Sequence, residues 1–201
     1  MANPLDPGYY TEEDLRDAGF RRLGRDVRIA RNCTIVGAQN IELGDHVRID
    51  SYVTLVAAGA GYARLGSYVH VAAQCVLVAT SGLVMEDFTG LSHGVHIHTR
   101  TDDYSGRHLT NPTVPARFTG VTEGEVALRR HVIVGSGSVI LPQVEIGEGA
   151  AVGALSLVTK SLAPWGVYFG APARRLKSRS KDLLRLESEL LATRSEAPRP
   201  D

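Results

Sequence analysis

Histidine and aspartate are the side chains here best suited to moving a proton or holding a metal, and they are unevenly placed. Five of the seven histidines, His70, His93, His96, His98 and His108, fall between positions 70 and 108. His93, His96 and His98 form H-x-x-H-x-H, a cluster of imidazoles that invites a zinc reading. Asp102, Asp103 and Tyr104 follow at once. A carboxylate can accept a hydroxyl proton, but an ordinary aspartate, with a pKa of about 3.9, is a weak base at neutral pH unless burial raises it. The two aspartates could instead bind ligand hydroxyls or orient an imidazole. Near the C-terminus Lys160, Arg174, Arg175 and Lys177 offer cations for phosphate groups.

These side chains need elements to position them, and the chain supplies a repeat. Leu128, Val134, Ile140, Ile146, Val152 and Val158 recur every six residues, and the same template fits Leu23–Ile29–Ile35, Leu43–Ile49–Leu55, Leu65–Val71–Leu77 and Met85–Leu91–Ile97. Four residues after each anchor comes a second, mostly small position, which includes Cys33 and Cys75. An inward pattern of four, then two, fits neither a 3.6-residue helix nor a simple alternating strand. Short strands broken by a turn every six residues do fit, with glycine after the anchor easing the turn. Three such faces make one coil, and six coils stacked at strand spacing give a three-sided prism on the order of 30 Å long. Its narrow interior suits a composition with 43% hydrophobic but only 6% aromatic residues. Both cysteines then read as inert core thiols.

The period lapses between Ile97 and Leu128, so residues 98–127 read as a functional arm. Thr11-Glu12-Glu13-Asp14 announces a short helix through Ala18, and residues 181–191 an amphipathic one whose leucines pack on the solenoid end or a neighbour. The layout is an N-terminal segment 1–20, a β-solenoid 21–164, a C-terminal extension and helix 165–193, and a disordered tail 194–201. Lys plus Arg equals Asp plus Glu, at 22 each, so nothing favours nucleic acid, and no stretch is apolar enough for a membrane span. Without a signal-peptide pattern, and with two cysteines only, a cytoplasmic protein is expected.

The hexapeptide array, the long arm after Ile97 and the closing segment Lys160–Ser180 resemble the left-handed β-helix acyltransferases, and more narrowly the bacterial sugar O- and N-acetyltransferases of polysaccharide and O-antigen pathways. The resemblance implies an all-β solenoid, a left-handed parallel β-helix of about six coils. It implies a homotrimer with active sites between subunits, acetyl-CoA as cosubstrate without a metal, and a sugar, nucleotide sugar or glycan precursor as acceptor. Many relatives start the arm with a basic histidine, whereas the corresponding position here is Asp102. His70, just before anchor Val71, is therefore expected to serve as base with Asp102, within a chain or across the subunit boundary. Asp103, Tyr104, His96 and His98 are expected at the acceptor. Gly135, Ser136, Gly153 and Ala154 would leave a path for the pantetheine arm, and Lys160, Arg174, Arg175 and Lys177 would hold the CoA phosphates. A γ-class carbonic-anhydrase-like metal enzyme and a non-catalytic scaffold are the other readings of this fold.

Overall fold

A computed structural model of the protein describes residues 5–195. Its strands are two to five residues long and stack into three parallel sheets that wrap one core, forming six complete coils and part of a seventh. The first sheet carries anchors Leu23, Leu43, Leu65, Met85, Leu128 and Ile146. The second carries Ile29, Ile49, Val71, Leu91, Val134 and Val152, and the third Ile35, Leu55, Leu77, Ile97, Ile140 and Val158. Every anchor faces inward, and all are buried except Leu23 and Ile35, which pack half-buried at the open end of the first coil. Backbone bonds run from coil to coil, as in Arg28 N–H to Val47 O at 2.8 Å and Arg48 N–H to Val69 O at 2.9 Å. The ends are capped as expected. Helix α1, Glu12–Asp17, starts on Thr11, whose hydroxyl accepts from Asp14 N–H while the Asp14 carboxylate accepts from Thr11 N–H. Leu15 of α1 is buried.

Six-residue spacing holds without exception from the first sheet to the second and from the second to the third. All length variation falls at the corner from the third sheet back to the first, after Ile35, Leu55, Leu77 and Ile97. The arm is the largest of these insertions. It leaves and returns through the antiparallel strands Arg100–Thr101 and Thr122–Glu123.

Two features differ from the sequence expectation. The residues with left-handed backbone at the turns lie three after an anchor, and many are not glycine: Asp26, His46, Tyr68, Phe88 and His131 on one corner, Tyr52, Gln74 and Leu155 on the next. The glycines directly after anchors answer a different constraint, close approach between coils. A Cβ on Gly44 would stand 2.6 Å from the Gly66 carbonyl carbon, and one on Gly135 would stand 2.4 Å from Ala154 N. Gly135→Ala should therefore destabilise the fold by about 1–3 kcal/mol through overpacking, whereas Gly90→Ala, with nothing within 4 Å of its Cβ position, should be near neutral. Urea denaturation of the two variants checks this; equal stabilities would refute it.

Aromatic residues enter the core only near its ends, where Tyr168 is buried and Tyr10 and Phe20 pack against it, and others line the outside of the coils. On the first-to-second-sheet corner His46, Tyr68, Phe88 and His131 stack at 5.0, 4.7 and 5.1 Å, the pitch of the coils. Trp165 continues this corner over Gly149.

Helix α2, Leu183–Ser195, docks beside this ladder through a carboxylate, with Leu183 and Leu184 half-buried. Glu187 pairs with Arg130 and lies 2.8 Å from His131 Nε2, while Leu186, Leu190 and Leu191 stay exposed. The tail expected from residue 194 falls, from residue 196 on, outside the described residues.

Candidate active site

Two corners of the prism gather the residues singled out above. On the corner from the second sheet to the third, successive coils present Ala72-Ala73, Ser92-His93, Gly135-Ser136 and Gly153-Ala154. Leu155 N–H bonds to Ser136 O at 2.8 Å and Gly137 N–H to His93 O at 3.0 Å, which fixes these small residues one above another. Leu155 and Phe169 stand exposed beside them. Phe169 lies over Gly153, where a Cβ would stand 2.1 Å from its ring, and Leu155 lies over Gly137, so apolar side chains border this line of small residues.

The cations are divided. Strand Arg174–Ser178 runs antiparallel to Gly166–Phe169, and its register places Arg174 opposite Phe169, at the end of the small-residue track. Arg175 pairs with Tyr168, and Lys177 with Val167, further back along the same strand. Lys160 follows the third-sheet strand Leu157–Val158 and belongs to the opposite corner, so one chain does not gather it with the arginines.

On the third-to-first-sheet corner the arm folds back over the coils and forms, with them, a chamber of about 730 Å³. That chamber is lined by Asp102, Arg100, Thr80, Asn111, Val78 and Pro115, among others. The Thr80 hydroxyl is buried there without a protein partner, an acceptor and donor open to a ligand. Asp103, the next residue, is used by the arm itself. It accepts from Ser105 N–H at 2.9 Å, Ser105 Oγ at 2.9 Å and His108 N–H at 3.1 Å. The backbone and hydroxyl of Ser105, and then His108, hold its carboxyl far below the usual carboxylate range. Tyr104 is exposed at the turn.

His70 projects from the second sheet, and within one chain it does not meet Asp102. Its partner is Asp50, at 2.8 Å, one coil earlier. Asp50 also receives Arg48 Nε at 2.7 Å and the Tyr9 hydroxyl at 3.1 Å. Burial works against the Asp50 charge, but the bonds from His70 and Arg48 outweigh it and hold its carboxyl below the ordinary range. Asp50 was not among the expected site residues. It follows anchor Ile49 directly, and the pairing of Arg48 with His70 across coils is the signal that locates it.

His96 and His98 flank Ile97 on the outer face of the third sheet, their rings 6.0 Å apart and tilted. Burial, and after it His96, push the His98 imidazole below the ordinary histidine range. His93 lies on the adjoining corner, and among the described residues no group of three or more His, Cys, Asp or Glu side chains is arranged to hold a metal.

No family model matches the chain. It is 37% identical over 180 residues to dTDP-4-amino-4,6-dideoxy-D-glucose acyltransferase of Escherichia coli, spanning 90% of this chain and 93% of that one. Among solved structures it is similar to AntD, an N-acyltransferase from Bacillus cereus in complex with dTDP and 3-hydroxybutyryl-CoA, with a TM-score of 0.91, 38% identity and coverage of 94% of this chain and 99% of that one. A variant of AntD holding dTDP-4-amino-4,6-dideoxyglucose and coenzyme A superposes with a TM-score of 0.89 at 38% identity, covering 92% of this chain and 98% of that one. A maltose O-acetyltransferase from Clostridium difficile 630, at 22% identity and a TM-score of 0.56 over 85% of this chain and 75% of that one, shares the fold.

Proposed function

Because the chain belongs to the hexapeptide-repeat acyltransferases, in the branch that contains dTDP-4-amino-4,6-dideoxy-D-glucose acyltransferase, we propose that it transfers an acyl group from coenzyme A to the amino group of a dTDP-linked 4-amino-4,6-dideoxy sugar. The observation that carries this reading is near-full-length likeness, at 38% identity, to an N-acyltransferase complexed with dTDP and an acyl-CoA. The site chemistry of this chain agrees with it: a line of small residues ending at Arg174, and a chamber with Asp102 and the unpartnered Thr80 hydroxyl.

Coenzyme A supplies the thioester. The track formed by Gly135, Ser136, Gly153 and Ala154 receives its pantetheine arm, and Arg174 with Arg175 faces its phosphates. The acceptor amine attacks the thioester carbon, the new C–N bond forms as C–S breaks, and the sulfur leaves as thiolate. The amine must lose a proton in the process, and in this reading Asp102, which lines the chamber, orients it and accepts that proton. An amine that binds already neutral needs little more assistance, and the departing thiolate can then take the proton.

Three copies complete the site. The outer face of the third sheet carries Thr34, Val36, Thr54, Val56, Val76, Val78, His96, His98, Val139 and Leu157, with no Lys, Arg, Asp or Glu. The first sheet instead presents Arg22, Glu42, Arg64 and Glu145, laced by ion pairs such as Arg21–Glu42 at 3.4 Å. An uncharged face of this kind suits packing against another prism, and such packing sets the small-residue corner of one copy beside the arm of the next. His70 of one copy would reach Asp102 only by that route. Two unpaired cysteines, Cys33 and Cys75, accord with a cytoplasmic setting, where nucleotide-linked glycan precursors would be the acceptors. Among the described residues no helix is long and apolar enough to cross a membrane.

Incubation with dTDP-4-amino-4,6-dideoxyglucose and either acetyl-CoA or 3-hydroxybutyryl-CoA, followed by mass spectrometry, tests the reading. An amide product with release of free thiol is expected for at least one donor. Absence of product with both donors would refute it.

A further inference from the structure

The chamber that holds Asp102 depends on how the arm is attached, and the attachment is built by side chains from three different coils. At the point of departure Thr99 is fully buried. Its hydroxyl donates to Val78 O at 2.8 Å and accepts from Ser81 N–H at 2.9 Å, and its carbonyl accepts from Gly124 N–H at 3.0 Å. At the point of return the Gln143 amide donates to Glu123 O at 2.9 Å, Arg100 pairs with Glu123 at 3.4 Å, and the Tyr62 hydroxyl donates to the Glu125 carboxylate.

Tyr62 is itself held on several sides. Its ring lies flat on Gly82, where a Cβ would meet it at 2.8 Å, and Gly82 has the left-handed backbone that favours glycine. The Tyr62 carbonyl accepts from Leu83 N–H at 2.9 Å, Gly82 O accepts from Val126 N–H at 3.0 Å, and the Arg64 guanidinium covers the ring at 4.6 Å. The phenol thus joins the rigid third coil to the residue from which the arm re-enters the solenoid. The antiparallel pairs Arg100↔Glu123 and Thr101↔Thr122 come next, and Asp102 follows directly.

We propose that Tyr62 and Glu125 are positioning residues for acyl transfer: their bond locks the root of the arm and thereby sets where Asp102 stands in its chamber. This rests on the acyltransferase reading above and assigns a role to a side-chain pair distant from the acyl-CoA track. Neither residue touches the reacting atoms. The hydrogen bond to Glu125, and burial after it, raise the Tyr62 phenol above its ordinary range, so it remains a donor throughout the neutral region.

The test uses the full chain with Tyr62→Phe, which keeps the ring on Gly82 and removes only the hydroxyl. A displacement of about 1 Å at a reacting group costs on the order of 100-fold, so kcat for the dTDP-aminosugar should fall roughly 10-fold to 100-fold, with KM for acyl-CoA and the melting temperature little changed. Glu125→Ala should reproduce the loss, Glu125→Gln, which keeps an acceptor, should restore most of the rate, and the double variant Tyr62→Phe/Glu125→Ala should be no worse than either single change. Hydrogen exchange on the substrate-free chain gives an independent readout: amides of residues 102–121 should exchange faster in Tyr62→Phe while those of the coils keep their protection. Unchanged kcat in Tyr62→Phe beside an active wild type overturns the proposal, as does unchanged exchange in the arm. A wild type that acylates no aminosugar counts against the functional reading, and the exchange measurement then decides the lock by itself.

Discussion

Asp102→Asn should lower kcat/KM for the aminosugar by about 10²- to 10⁴-fold, the usual contribution of a positioned acid or base, while leaving acyl-CoA binding intact. The substitution preserves shape and hydrogen-bonding reach but removes the carboxylate that would take the amine proton. Acyl-CoA binding should survive because the track of Gly135, Ser136, Gly153 and Ala154 lies on a different corner from the Asp102 chamber of the same chain. Calorimetric titration with coenzyme A alongside steady-state kinetics separates the two effects. His70→Ala is the informative companion, because His70 already spends one ring nitrogen on Asp50 within its own chain. A loss of similar size there would show that the imidazole of a neighbouring copy shares the proton transfer. Full activity in both variants would remove Asp102 and His70 from the chemistry and leave the thiolate as the acceptor of the proton.

If the third sheet packs against another copy as proposed, Val76→Glu should leave single chains and abolish turnover. Val76 points outward from the third sheet between Thr54 and His96, so its substitution leaves the core anchor Leu77 in place. If that face is covered by another copy, the new carboxylate loses its water without gaining a partner, a cost of several kcal/mol in practice for a buried ion. Sedimentation velocity should then report the mass of one chain, with coil secondary structure retained by circular dichroism. An assembly unchanged in mass would show that the uncharged face is not the contact between copies.

Much of this molecule could be read from residue spacing. Each of the eighteen anchors lies on the inner side of a strand, the arm occupies the interval from Ile97 to Leu128, and Thr11 caps the first helix. A strict period makes such positions visible because each inward side chain is dictated by its own six-residue unit. What escaped notice depends on contacts between coils. Asp50 meets His70 only after an insertion at the third-to-first corner has shifted the count, so their distance along the chain is no multiple of six. The glycines after anchors were visible, but their reason lies in the backbone of the next coil, as Gly135 against Ala154 shows. Within one chain Lys160 follows a third-sheet strand whereas Arg174 begins a strand of the second sheet, a separation that their closeness in sequence does not reveal. The leucines of the C-terminal helix point to apolar packing, and the contact of Glu187 with Arg130 and His131 is not visible in their spacing.

Confining every insertion to one corner also has a thermodynamic meaning. From Met85 to Leu128 the chain must close a detour about twice as long as an ordinary coil, and loop-closure entropy charges only about 0.6 kcal/mol for each doubling of length. The pairing of Leu83–Met85 with Val126–Leu128 therefore restores the solenoid across the arm at little cost. Nearest-neighbour repeats fold by adding one coil to the next, and this join is the one step in which the next coil must be found across a long excursion. The arm can consequently lengthen, shorten or change its chemistry with small effect on the stability of the coils, which makes that corner the place where acceptor preference can vary while the frame stays fixed.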